Sequence, residues 1–416
     1  MHNYEHSVLL DSSKCTGCTT CLKHCPTEAI RILGHAVIND TRCIDCGECI
    51  RNCPHQAKKA VCSKLENMDR FKYKIALPAP TLYGQFDNLD DVDYVLDGLL
   101  RIGFDDVFEV SKAAEFVSAY TRIYLNTPGV KKPVISSACP VIVRLIGLRF
   151  PSLNENILHM LPPMEVAARL ARERALENHP ELKPEDIGVC FISPCPAKVS
   201  YVKNGFADYE SQVDEVVSMS DIYFQLIGEM SPDNEIKSLN ESGIIGIGWA
   251  SSGGESAALF NENYLAADGI ENVIRVLDQI ENGNIPKLQF IELNACPGGC
   301  VGGVMAVENP FVAKARLQAL RHYLPVSQNR LSKDEQKYIP ESYMFDELPE
   351  YHPITRLSDS MIESMKMMAD IQKIKETLPG IDCGACGAPS CRAFAEDIVR
   401  NKTIMDGCPL IKDDEK

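Results

Sequence analysis

ELNACPGGCVGG, residues 292–303, is the stretch from which the fold of this chain is best read. Cys296 and Cys300 stand four apart, a helical-turn spacing rather than the two-residue gap of a zinc knuckle or an ordinary ferredoxin loop. Pro297, Gly298, Gly299, Gly302 and Gly303 leave little side-chain bulk beside the two sulfurs. The apolar run Leu288 to Leu293 reads as a strand that leads into Cys296. Two thiolates at a strand end, with glycine backbone able to approach whatever they bind, imply a large inorganic cofactor. A glycine-rich turn with two structural cysteines is the alternative.

A chain of 416 residues is long enough for two to four domains with at least one sizeable core. Its hydrophobic content of 45% and charged content of 24% are those of a globular protein. The net charge of −16 argues against a nucleic-acid partner. MHNYEHSVLL has no basic region followed by an apolar stretch and a cleavage site, and no run approaches the ~18 apolar residues of a membrane span. The expectation is a soluble cytoplasmic protein with no membrane span. In such a chain, 18 cysteines imply metal rather than disulfides.

Two runs share one spacing: Cys15, Cys18, Cys21 and Cys25-Pro26, then Cys43, Cys46, Cys49 and Cys53-Pro54. This is the pattern of a two-cluster bacterial ferredoxin, in which the fourth cysteine of each run serves the other cluster. By that rule Cys15, Cys18, Cys21 and Cys53 hold one 4Fe–4S cube, and Cys43, Cys46, Cys49 and Cys25 hold the second. The repeat of about 28 residues agrees with a pseudo-symmetric fold, and zinc is the weak alternative. Cys62 fits neither set and reads as a small buried residue. His2 and His6 read as surface residues.

From about Phe71 strands and helices alternate, which implies an α/β unit of parallel sheets flanked by helices. Strands are expected at 72–80, 105–110, 132–139, 187–195, 213–219 and 243–248. Helices are expected at 90–102, from a Ser111 cap to about 124, from Pro140, at 165–177, around 255–266, at 271–282, and in a long stretch reaching about Leu324. Cys139, Cys195 and Cys296 then each fall at the carboxyl end of a strand, where open α/β sheets build their sites. With Cys300 they supply four thiolates to one crevice, whereas Cys190 lies inside its strand as core packing. Residues 326–356 read as a linker or wrapping segment, followed by a helix at about 359–378. Cys383, Cys386, Cys391 and Cys408 suit a third 4Fe–4S cluster, with a helix from Cys391 to about Asn401; zinc is the alternative there.

With these residues assembled, the chain resembles the iron–iron (FeFe) hydrogenase family over nearly its whole length. SSACP (136–140), SPCPAK (193–198) and ACPGGC (295–300) are similar to the family's three active-site segments, in the family's order. The resemblance implies an α+β ferredoxin-like domain at 1–65, a two-lobed hydrogenase domain at 66–350 and a small helical iron–sulfur domain at 351–416. It implies an H-cluster, a 4Fe–4S cube joined through a cysteine sulfur to a diiron unit with CO, cyanide and a dithiolate. Cys139, Cys195, Cys296 and Cys300 would ligate it, with Cys300 the bridge, and Lys198 would hydrogen-bond a cyanide. Thr81 would meet the second cyanide. Implied partners are dihydrogen and protons, an electron-transfer protein such as ferredoxin, and the maturation proteins that install the diiron unit.

The departures from the family pattern point to its divergent sensory branch. Ala138 stands where catalytic members carry a proton-passing cysteine. Tyr120 and Thr121 replace the paired carboxylates further along the proton path, and Ser193 and Asn294 replace flanking methionines. The expected activity is slow interconversion of dihydrogen with protons and electrons, used in hydrogen or redox sensing with a separate signalling partner. A bulk ferredoxin-linked hydrogenase with protons rerouted near residues 193–201 is one alternative. A non-catalytic iron–sulfur or cluster-assembly protein lacking the diiron unit is the other.

Overall fold

A computed structural model describes residues 4–411 apart from 208, 231–235, 352 and 355. Eleven strands appear among the described residues: β1 (Val8–Leu10), β2 (Ile30–Leu33), β3 (His35–Ile38), β4 (Lys58–Ala60), β5 (Tyr73–Pro78), β6 (Asp106–Val107), β7 (Val134–Ile135), β8 (Ile187–Ser193), β9 (Glu215–Ser218), β10 (Tyr264–Asp268) and β11 (Phe290–Asn294). The first four form two antiparallel pairs, β1 with β4 and β2 with β3. Each cysteine run in this lobe leads into a four-residue helix, Thr20–Lys23 or Glu48–Arg51. This is an α+β ferredoxin-like lobe.

The remaining strands form two parallel sheets, β6-β5-β8-β9 and β10-β11-β7. β8 is buried at all seven positions and β5 at its last four, because helices cover both faces. One hydrophobic core runs through both sheets, including Ile75, Leu77, Phe191, Phe290 and Ile291. The last segment is a small helical unit of Met361–Thr377 and Cys391–Val399, packed around Ile371, Phe394 and Cys408. The fold class is therefore α/β with an α+β lobe before it and a helical one after it. No helix among the described residues is long and apolar enough to cross a membrane.

Several expected elements are corrected. GIIGIG (243–248) is not a strand but the short helix Ile244–Gly248. Gly246 lets it press on the helix Val110–Leu125, since a Cβ there would stand 2.1 Å from the Ser111 carbonyl oxygen. Its place in the sheet is taken by β10, in a segment expected to be helical; the helix there is only Gly254–Ala257. Short apolar runs fit either structure, and packing decides between them.

Ser111 lies inside its helix, with Glu109 at the N-cap, and its hydroxyl donates to Glu109 Oε1 at 3.2 Å. β6 and β7 are two residues each, because the chain leaves the sheet early to begin helices at Val110 and Pro140. The long helix expected to run to Leu324 is a short turn at Cys300–Gly302 followed by Pro310–Arg321. The wrapping segment buries Tyr343 and Phe345 in the main core.

Candidate metal centres

Cys139 and Cys195 are both N-cap residues, each followed by a proline that starts a helix, Pro140–Arg149 or Pro196–Asn204. Cys296 follows β11 by two residues, and Cys300 opens the next turn. All four line one cavity. Glycine backbone closes it: a Cβ on Gly303 would stand 2.2 Å from the Pro194 carbonyl oxygen, and one on Gly299 would stand 2.4 Å from the Ser252 nitrogen.

Burial pushes the Cys195 thiol up to about 12, and burial with the neighbouring cysteines holds Cys296 well above the ordinary thiol range. For all four to ionise in so dry a space, positive charge would have to stand between them.

Thr81, Lys198, Ala138 and Asn294 line the same cavity. Thr81 is fully buried and its Oγ1 has no hydrogen-bond partner among the described residues. Lys198 lies over the Phe191 ring, its Nζ 5.3 Å from the centroid. An orphan hydroxyl and an ammonium in the cavity of four cysteines fit a large cofactor whose core the thiolates hold and whose outer ligands are hydrogen-bond acceptors. Asn294 donates from Nδ2 to Glu292 Oε1 at 2.9 Å.

Ser193 does not line the cavity. Its Oγ donates to the Cys195 carbonyl at 3.2 Å and accepts from the Cys195 N–H at 3.1 Å, bracing that loop. Tyr120 packs on Tyr343, and the Thr121 hydroxyl donates to the Val117 carbonyl at 2.8 Å; neither reaches the cavity.

Sequence reasoning missed two carboxyls in the cavity wall, Glu255 and Glu292. Burial, then the nearby Glu292, holds Glu255 well above the ordinary carboxyl range, and burial raises Glu292 as well. Glu255 Oε2 accepts from Ser136 Oγ at 2.7 Å while Oε1 has no partner among the described residues. Ser136 Oγ in turn accepts the Ala138 N–H at 3.1 Å. Glu292 accepts the N–H groups of Gly253 and Ser256 at 2.9 and 2.8 Å. A signal was present: Glu292 interrupts the apolar strand of the quoted stretch. Glu255 sits in a run of small residues with no such mark.

The other twelve predicted cysteines are brought together in three sets. Cys15, Cys18, Cys21 and Cys53 line one cavity, and Cys25, Cys43, Cys46 and Cys49 line another. Cys46 also lines the large cavity, so these two spaces are neighbours. Arg144 ties the lobes together here, donating to the carbonyls of Cys43, Asp40 and Thr41 at 2.6, 3.0 and 3.2 Å. Cys383, Cys386, Cys391 and Cys408 line a fourth cavity.

Cys190 is fully buried in β8, as expected. Cys62, expected to be buried, is only partly so, because its Sγ lies near the lobe junction, 3.8 Å from Met305 Sδ. His6 is not a free surface residue; it is half-buried, pairing with Asp40 at 3.6 Å. His2 lies outside the described residues.

Helices on both faces of parallel sheets, with cysteine sets at the loop ends, define an α/β iron–sulfur protein. The family model described as iron only hydrogenase large subunit, C-terminal domain, matches residues 72–261 and 252–304. It covers more than half of the chain, which therefore belongs to the iron-only (FeFe) hydrogenase family, as a hydrogenase-like member with added iron–sulfur domains. A 4Fe-4S dicluster domain matches residues 7–54, and an Fe-S cluster model matches 378–410.

The periplasmic Fe hydrogenase large subunit of Nitratidesulfovibrio vulgaris is 26% identical over 370 residues, 72% of this chain and 86% of that one. The corrinoid/iron-sulfur protein large subunit of Moorella thermoacetica is 42% identical over 41 residues, 10% of this chain and 9% of that one. Among solved structures, a variant FeFe-hydrogenase of Chlamydomonas reinhardtii covers 65% of this chain and 87% of its own, at 17% identity and a TM-score of 0.47.

Proposed function

We infer that the chain binds an H-cluster through Cys139, Cys195, Cys296 and Cys300 and slowly interconverts dihydrogen with protons and electrons, as a hydrogen or redox sensor. The observation that carries this reading is one cavity that joins these four cysteines, Lys198 and the orphan Thr81 hydroxyl, with only a methyl group at Ala138. When bound, the cofactor supplies the diiron chemistry of hydrogen cleavage.

The chain's own residues hold and orient it. Lys198 would donate to one cyanide and Thr81 to the other, while buried walls exclude water. The methyl group of Ala138 can neither take nor give a proton, and general acid–base help is worth ~10²–10⁴-fold. Turnover is therefore slow rather than absent.

Two 4Fe–4S clusters in residues 1–65 and one in residues 351–416 flank the hydrogenase domain at 66–350 and relay electrons to a ferredoxin-like partner. Maturation proteins supply the diiron unit, and a separate protein reads the signal. The test is infrared spectroscopy after co-expression with those maturation proteins, alongside hydrogen turnover. CO and cyanide bands with low turnover support the reading. Intact 4Fe–4S cubes without those bands favour a non-catalytic iron–sulfur protein.

A second reading keeps efficient hydrogenase activity with a rerouted proton path. Its support is the Glu255 carboxyl in the cavity wall beside Glu292, with Oε2 accepting from the Ser136 hydroxyl and Oε1 unpartnered among the described residues. These groups differ from the 193–201 region expected from sequence. Solvent isotope effects on turnover, compared between the native protein and Glu255→Gln, separate the two readings.

A further inference from the structure

The two halves of the ferredoxin-like lobe repeat each other closely, which makes one difference informative. Cys25-Pro26-Thr27-Glu28-Ala29-Ile30 matches Cys53-Pro54-His55-Gln56-Ala57-Lys58 position by position. Ile30 opens β2 and Lys58 opens β4. The backbone repeats too: Ala29 N–H donates to Cys25 Sγ at 3.2 Å, and Ala57 N–H donates to Cys53 Sγ at 3.3 Å. Both side chains are buried, Ile30 at 2% and Lys58 at 4% exposure. One half thus buries an alkyl group where the other buries an ammonium.

Lys58 Nζ donates to Cys21 Sγ at 3.1 Å, and among the described residues it meets no carboxylate within ion-pair distance. A buried charge without a counter-charge is expensive. A 4Fe–4S cube held by four thiolates is anionic and offsets it. Lys58 lines the cavity of Cys15, Cys18, Cys21 and Cys53 but not that of Cys25, Cys43, Cys46 and Cys49. Its charge also reaches Cys49 of the second set, but its direct N–H···S bond goes to Cys21 of the first, so it acts on the two spaces unequally.

We propose that Lys58 splits the reduction potentials of the two ferredoxin-lobe clusters, raising that of the cluster held by Cys15, Cys18, Cys21 and Cys53. This rests on reading these cysteines as 4Fe–4S ligands. Reduction adds one negative charge to the cube, and a nearby ammonium with an N–H···S bond stabilises the reduced form more than the oxidised one. The favoured cluster also faces the C-terminal unit: Ile32 lines its cavity, and the Ile32 N–H donates to the Gly387 carbonyl, between Cys386 and Cys391, at 2.9 Å. The Lys58 charge makes this cluster hold an electron arriving across that contact more firmly, which suits the retention of a redox state. Lys58 is a positioning and tuning residue, not a catalytic one.

The test is an EPR-monitored redox titration of anaerobically reconstituted full-length protein and its Lys58→Met, Lys58→Gln and Lys58→Arg variants. In Lys58→Met one step shifts to lower potential by at least tenfold in the reduced-to-oxidised ratio, about 59 mV for one electron. The other steps move less, Lys58→Gln follows the Met variant, and Lys58→Arg stays near the native value. Unchanged titrations, or steps that all shift equally, overturn the proposal while leaving the cluster reading intact. Absence of 4Fe–4S signals from the native protein overturns both. If the Met and Gln variants do not assemble clusters, pulsed ENDOR of the native protein decides. With lysine labelled at the ε-nitrogen with nitrogen-15, it should show a nitrogen coupling on one reduced cluster, which the backbone N–H···S bonds cannot supply, and its absence refutes the contact.

Discussion

Gly303→Ala tests whether backbone contact between two loops shapes the large cavity. The added Cβ would stand 2.2 Å from the Pro194 carbonyl oxygen and 2.9 Å from the Pro194 carbonyl carbon, where ordinary contact begins near 3.4 Å. Neither neighbour is a flexible side-chain tip, so the Cys300 loop and the Cys195 loop must part by roughly 1 Å. The same movement stretches the Met305 N–H bond to that carbonyl, now 3.1 Å. Overpacking costs about 1–3 kcal/mol and the lost hydrogen bond about 1 kcal/mol, together about 2–4 kcal/mol. At roughly 2–4 °C per kcal/mol for a unit of this size, the melting temperature should fall by at least about 4 °C.

Cysteine geometry should loosen too, lowering iron and sulfide per chain after reconstitution. Thermal circular dichroism and iron analysis read the two effects. Gly228→Ala is the control, since among the described residues nothing lies within 4 Å of its added Cβ near the C-terminal end of the helix Met219–Glu229; it should leave the melting temperature unchanged or slightly raised. A Gly303→Ala protein with native iron content and a melting temperature within about 1 °C of native would refute the reasoning.

Ala138→Cys should raise hydrogen turnover by about tenfold or more, within the range general acid–base catalysis supplies; no gain in protein with native CO and cyanide bands counts against a missing relay. If protons are rerouted through it, Glu255→Gln should lower turnover and change its solvent isotope effect while leaving the iron content native; unchanged kinetics would exclude the carboxyl from proton transfer and leave the slow-turnover reading. Arg144→Lys should release the ferredoxin-like lobe, because a lysine cannot span the three carbonyls; about 2 kcal/mol of contact stability is lost, read as faster proteolysis between residues 62 and 72.

Burial raises the carboxyls of Glu109 and Glu165 above the ordinary 4.5, so the folded chain holds protons that the unfolded chain releases. Their stabilising contribution is complete below about 4.5 and is lost as pH rises through the raised values. The urea midpoint of the cluster-free protein should therefore fall as pH rises above about 4.5, and a midpoint that rises there contradicts the assignment.

Cysteine spacing made the sets legible without a structure, because a cube held by a short loop requires its ligands at fixed intervals. The same constraint let Cys53 and Cys25 be assigned across the repeat. The alternation of apolar runs with helical periodicity likewise announced parallel sheets. Where runs were short, as at GIIGIG, periodicity could not separate strand from helix, and the close approach of Gly246 to Ser111 settled it.

What the sequence determined by itself is the chemistry available: four cysteine sets, a lysine three residues past Cys195, and an alanine before Cys139. Tertiary structure alone decided which polar groups face that chemistry. It turned Ser193 inward to brace its own loop, and it brought Glu255 and Glu292 together from 37 positions apart. It also set the Lys58 ammonium against the sulfur of Cys21. The physical reason is the same in each case. Ligation from one loop leaves a mark in spacing, and even the dispersed Cys139, Cys195, Cys296 and Cys300 show as cysteines at strand ends, whereas the charge around a buried site comes from whichever elements packing brings together and leaves no interval to read.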